Sequence, residues 1–264
     1  MIDEVVNDLA TEQEELDGLL TELSLEQWDL VTPAAPWTIR DTISHVAFFD
    51  ERQTQAILDP EGFANEISQR MAGGTDQYMD IALQRGRSMS PDAVLAWWRE
   101  ARAAEIAAFR PLDPQARLPW FGPPMRTTSA AAARLMETWA HGQDIYDTTG
   151  RTRVATIRLF HIAELGVKTF SWSFANRGLE VPEVRVMVSL RSPNGTERHW
   201  NEESAESITG PVEDFCLVVA QRRHYLDTDL AIEGETARRW MEVAQVFAGP
   251  PGPGRAPTQR TTGS

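Results

Sequence analysis

The sequence predicts an α+β protein, with a helix bundle in the N-terminal half and a smaller α+β unit behind it. Three observations carry this expectation. Apolar residues recur near a 3.6-residue period through the first half. The pattern then switches to alternation at Val184, Val186 and Val188. Asn194-Gly195 follows as a strong hairpin-turn signal before a second extended stretch. With 264 residues the chain divides into an expected bundle (1–150), a helix plus small α+β unit (151–248) and a tail (249–264).

Each element has its own signal. Over residues 2–23, Ile2, Val5, Val6, Leu9, Leu16, Leu19, Leu20 and Leu23 line one helical face. After the Pro-bearing loop at 32–37, Thr38 and Asp41 have capping-box spacing and open a helix to about Leu58. Ser90-Pro91-Asp92 starts another: an N-cap, a proline at the first helical position and an acid in the first turn. It runs to about Phe109. Residues 110–127 contain five prolines and read as a long connection, a type of loop that is often functional. The alanine-rich stretch from Ser129 to about Asp147 is a strong helix ended at Gly150. A further helix is expected over about 154–174. Beyond it come extended pieces near 184–188, 196–201, 207–209 and 230–233, and short helices at about 212–222 and 235–247. From Gly249 the Gly/Pro-rich sequence predicts a disordered tail.

Composition excludes several function classes. A net charge of −14, with no basic stripe to offset it, disfavours nucleic acid and anionic membranes as partners. No apolar run approaches the roughly 18 residues of a membrane span. The acidic start lacks the pattern of a signal peptide, so a cytoplasmic location is expected. The lone cysteine, Cys216, lies in an apolar run and reads as a buried thiol. The expected partner is a small-molecule substrate; a homodimer is left open.

The chemistry-bearing residues are few. Of five histidines, His45 lies inside the second helix and His141 inside the alanine-rich one. Glu137 precedes His141 by four residues, so both share a helical face one turn apart. A carboxylate and an imidazole there, joined by a ligand from another helix, would make a three-ligand divalent-metal site with an open position. The spacing alone is weak. With 39 acids among 264 residues, an acid four before one of five histidines is expected about 0.7 times by chance. Asp41 before His45 is a second instance, better explained as the capping residue, and a surface ion pair is the plain alternative for Glu137 and His141. His161, His199 and His224 read as structural or surface histidines. Asp144 could orient a ligand from behind, and Trp37, Trp120 and Phe121 lie in loops that could wall a pocket.

The segment Pro36-Trp37-Thr38-Ile39-Arg40-Asp41-x-x-x-His45 is followed by Glu137-Thr138-Trp139-Ala140-His141-Gly142-Gln143-Asp144-Ile145. Together they resemble the DinB-like metal-binding superfamily over roughly residues 5–150. Many members carry His-x-x-x-His on the later helix. Glutamate in place of the first histidine resembles the mycothiol-dependent maleylpyruvate isomerase branch, and the chain is more similar still to an uncharacterised actinobacterial group described only as metal-binding. The resemblance implies a DinB-like four-helix bundle, His45, Glu137 and His141 as metal ligands, and one divalent ion, zinc by the donor set. It also implies mycothiol as a cosubstrate that adds to an activated double bond and is eliminated after rotation, or is transferred. An arginine of the C-terminal domain assists in that branch; Arg222 and Arg223 are the candidates here, on a loose local pattern. Two other readings stand beside this one: a metal-activated water acting as hydrolase or hydratase, and a non-catalytic metal- or ligand-binding protein.

Overall fold

The computed structural model describes residues 2–70 and 76–258, which fall into two compact units, Met1–Arg153 and Val154–Ser264.

In the first unit, α1 (Ile2–Thr21) buries the apolar face read from its sequence. A 3-10 turn at Gln27–Asp29 leads to α2 (Ile39–Leu58), which opens on the expected capping box. The Thr38 hydroxyl accepts from the Asp41 amide while Asp41 accepts from the Thr38 amide. Two helices follow that the sequence reading passed over, α3 (Pro60–Arg70) and α4 (Asp76–Arg87). Their burial rests on single side chains such as Phe63, Ala82 and Leu83, so no apolar stripe announces them. At Gly86 a Cβ would lie 1.8 Å from the Ser44 hydroxyl oxygen, so glycine lets α4 sit against α2.

Helix α5 (Pro91–Phe109) starts as expected, with Ser90 capping Ala93 and Pro91 at the first helical position. The proline-rich connection is not structureless. β1 (Arg117–Leu118) and β2 (Met125–Arg126) form a small antiparallel ribbon, and the Thr127 amide donates to the Ala116 carbonyl where the ribbon meets α6 (Thr127–Thr149). Gly150, at φ +65, caps α6 in the left-handed conformation that glycine adopts at little cost. Helices α1, α2, α5 and α6 form the four-helix bundle, with α2 against α5 and α6, and α1 closing the other side.

The second unit begins differently from the sequence expectation. The predicted helix over 154–174 is two helices, α7 (Leu159–Lys168) and α8 (Phe170–Ala175), broken at Thr169, whose hydroxyl bonds the Leu165 and Gly166 carbonyls. Such back-bonding competes with the helical ladder. The first strand also lies later than Val184, which is exposed. β3 (Met187–Arg191) pairs antiparallel with β4 (Glu197–Trp200) across the predicted turn, where Gly195 has φ +85. β5 (Ser207–Pro211) runs parallel to β3, α9 (Val212–Val219) packs on α7, and β6 (Ala231–Glu233) extends the sheet to the order β4-β3-β5-β6. α10 (Glu235–Val243) closes the unit on α8 through Trp240 and Phe170.

Cys216 is fully buried, its thiol donating to the Leu159 carbonyl. The first part of the expected tail carries hydrogen bonds. Asn176 and Gln245 donate to the Gly249 carbonyl, Arg177 to that of Gly252, and the Thr258 amide to Asp227. A Gly/Pro run cannot bury side chains, but its carbonyls still accept. Residues 259–264 of the predicted tail lie outside the described residues. Among the described residues, no helix is long and apolar enough to cross a membrane.

Candidate metal centre

Helix α2 carries His45 two turns from its capped start, and α6 carries Glu137 and His141 on one face. Packing of α2 against α6 brings the three together. His141 Nε2 lies 3.3 Å from Glu137 Oε2, and His45 Nε2 lies 4.0 Å from the same oxygen. Ligand atoms of the three residues all fall within 4.8 Å of one another, the one such group of three His, Cys, Asp or Glu among the described residues. Both histidines are 7% exposed, whereas about a quarter of the Glu137 side chain reaches solvent (24%). The cluster is therefore mostly buried, with Glu137 its most exposed member.

The electrostatics suit a cation. Burial pushes His45 down to a pKa of about 4 against the opposing pull of Glu137, so its imidazole is neutral and able to ligate near pH 7. Burial would raise Glu137, but the two imidazoles outweigh it and hold the carboxyl well below its usual range. Two imidazoles and one carboxylate are a familiar donor set for a divalent transition ion. The two histidines are oriented differently. His141 Nδ1 faces the fully buried Asp144, with Oδ2 at 3.8 Å, longer than a hydrogen bond but close enough for charge to matter. His45 Nδ1 is buried and has no hydrogen-bond partner among the described residues. Aromatic packing holds that ring instead, with Trp37 at 5.0 Å and Phe49 at 4.7 Å between centroids.

The loop aromatics Trp37, Trp120 and Phe121 join one run of ring contacts that begins at the two histidines. Trp37 also stacks on His141 at 5.9 Å. From Phe49 the aromatic surface continues to Phe121 (5.5 Å) and Trp120 (6.4 Å), and Trp120 lies nearly parallel to Phe63 at 5.8 Å. The β1–β2 ribbon holds Trp120 and Phe121 in its turn. The sequence reading did not single out Phe49 and Phe63, which join the same run of rings. Phe49, one turn after His45, could have been found by extending the ligand's own helical face.

Sequence reasoning also missed the polar network in the bundle core. Arg134 on α6 donates to Asp50 on α2 (Nη2 to Oδ1, 2.6 Å), and its Nε lies 3.3 Å from Glu105 on α5. Gln13 on α1 donates to Glu105 at 3.0 Å and Trp98 to Asp50 at 3.1 Å. Burial pushes both carboxyls up. Asp50 further raises Glu105, while Arg134 holds both back. Arg222 and Arg223 belong to the second unit, in the turn after α9, where Arg222 donates to the Ala220 carbonyl and Arg223 to that of Arg222. His161, His199 and His224 also lie in that unit and outside the cluster. The His224 ring accepts from the Leu226 amide.

Residues 9–146 match the family described as the Mycothiol maleylpyruvate isomerase N-terminal domain, more than half of the chain. The chain belongs to this family. Two uncharacterized proteins of Mycobacterium tuberculosis, from strains CDC 1551 / Oshkosh and ATCC 25618 / H37Rv, are each 41% identical over 251 residues. The alignment covers 95% of this chain and 97% of theirs. Crystal structures of the mycothiol-dependent maleylpyruvate isomerase and of a histidine-to-alanine mutant of it align with TM-scores of 0.58 and 0.57. They are 13% and 12% identical, each over 84% of this chain and 90% of theirs, and so show a shared fold. Membership of the mycothiol maleylpyruvate isomerase family supports an isomerase enzyme, built as a helix bundle followed by an α+β region.

Proposed function

We propose that this chain is a divalent-metal-dependent enzyme that uses mycothiol as a thiol cosubstrate to isomerise a small unsaturated carbonyl compound, or to transfer the thiol to it. The carrying observation is the approach of His45, Glu137 and His141 to within 4.8 Å of one another beside an aromatic wall, in a member of the mycothiol maleylpyruvate isomerase family. His45, Glu137 and His141 would hold one ion, zinc by preference for this donor set. When bound, such an ion supplies the Lewis acidity that lowers the pKa of a thiol.

The chain's own residues supply the remainder. Trp37, Phe49, Trp120 and Phe121 offer flat apolar surface suited to a conjugated substrate and exclude water from the reacting atoms. The cosubstrate sulfur adds to the carbon β to the carbonyl, the former double bond turns as a single bond, and loss of the same thiol restores it in the other geometry. No net oxidation occurs and the thiol is returned; in transfer it is retained. Arg222 and Arg223 are the candidate catalytic arginines.

The test is turnover of a panel of cis-enones and enals by zinc-loaded protein with and without mycothiol. The expected result is conversion only with the thiol, without net thiol loss for isomerisation and with one equivalent consumed for transfer. Turnover independent of any thiol would instead favour hydrolysis or hydration. Arg222→Ala and Arg223→Ala are expected to keep the metal, and the catalytic one to lose most of kcat.

A further inference from the structure

We propose that Arg134 is a positioning residue for the metal ligands, holding α2 and α6 at the separation at which His45 and Glu137 can share one ion. This inference rests on the metal reading of the site.

Three observations carry it. Arg134 stands one turn before Glu137 on α6, and its side chain is only 4% exposed. Its guanidinium crosses to α2, where Nη2 donates at 2.6 Å and Nε at 3.2 Å to Asp50, and Nη2 reaches the carbonyl of Val46, the residue after His45, at 3.5 Å. One rigid fork thus ties the turn before one ligand to the backbone beside another. Its geometry is fixed in turn, because Asp50 also accepts from Trp98, and Glu105 both approaches Arg134 and accepts from Gln13. All four bundle helices contribute.

The distances at the site explain why such a brace matters. His45 Nε2 and Glu137 Oε2 are 4.0 Å apart, so no direct hydrogen bond holds those two groups at that spacing. Helix separation contributes to that spacing beside the aromatic packing of the His45 ring, and a planar five-donor cation between two carboxyl groups is stiffer than an apolar contact. A network placed only for stability needs no such proximity to the ligands, since apolar residues of similar volume serve a core as well or better.

The test compares Arg134→Lys and the near-isosteric Asp50→Asn with wild type, using zinc affinity by chelator competition and the visible spectrum of the cobalt-substituted protein. Arg99→Gln is the control, breaking the Arg99–Asp17 pair between α5 and α1, helices without ligands. Folding is checked by circular dichroism. The expected result is folded variants with zinc affinity lowered about 10- to 100-fold and a shifted cobalt spectrum, while the control loses only some stability. Unchanged affinity and spectrum in folded variants would overturn the positioning role alone. Failure of both variants to fold would assign the network to stability and overturn it too. A wild-type protein that binds neither zinc nor cobalt would overturn the metal reading and this inference with it.

Discussion

His45 on α2 and Glu137 on α6 face each other with Nε2 and Oε2 4.0 Å apart, and His141 approaches the same carboxylate oxygen at 3.3 Å. One carboxylate oxygen is thus shared by two imidazoles from different helices. An ion pair explains the within-helix contact between Glu137 and His141. It does not explain why a neutral, buried histidine from another helix joins them; the proposed shared cation would.

The ligand assignment predicts metal content. Zinc-loaded wild-type protein is expected to hold about one ion per chain, and His45→Ala or His141→Ala to retain little after dialysis. Elemental analysis of the purified proteins measures this. Full metal retention in either variant would remove that residue from the ligand set.

The depressed pKa of His45 predicts a pH dependence in metal-free protein. The unfolded chain takes up the proton first, so this group's stability is present above about pH 6.5 and is lost as pH falls toward about 4. At pH 5 the loss is about 2 kcal/mol. Asp50 and Glu105, raised by burial, act in the opposite sense, so the measurement is a difference between wild type and His45→Asn in urea unfolding at pH 7.5 and 5. Wild type should lose about 2 kcal/mol relative to the variant on acidification; a difference that does not change with pH refutes the shift.

The aromatic wall predicts a split between binding and metal retention. Trp120→Ala removes the ring stacked on Phe63, and Phe121→Ala removes one packed on Phe49. Each should raise KM for an apolar substrate by about 10-fold or more, from lost buried area of roughly 1–3 kcal/mol. Metal content should stay at the wild-type level. Loss of metal together with affinity would show that these rings shape the ligand cluster rather than the substrate surface.

The capping box predicts a stability effect separable from the chemistry. Thr38→Ala removes the hydroxyl that accepts from the Asp41 amide at the start of α2, at a cost of about 1 kcal/mol. A thermal melt should fall by several degrees, with metal stoichiometry unchanged. Two bonds from Arg87 and one from the amide of residue 38 still reach Asp41 and keep that end of the helix tied. An unaltered melting temperature would mean that the cap adds nothing beyond this tie.

Much of the bundle was legible because its signals are local. Thr38 with Asp41, Ser90 with Pro91, and Gly150 each act within a few residues of their own position, and each does so in the structure. The same holds for the Asn194-Gly195 turn. Signals failed where burial depends on distant partners. Phe63 is buried from within the polar sequence of α3, and Thr169 divides α7 from α8 without a proline or glycine at the break.

The sequence by itself determined that α6 carries Glu137 and His141 on one face and that α2 carries His45, since helical spacing needs only neighbouring residues. It could not distinguish that pair from a surface ion pair, because the chance of the spacing is high. Tertiary structure added what the spacing lacked by packing α2 against α6, placing His45 near the pair and enclosing it with Trp37 and Phe49. It also joined Arg134, Asp50 and Glu105, three charged residues whose sequence positions give no sign of contact. Burial far from water makes such groups depend on one another, and burial is a property of the packed bundle rather than of any one segment.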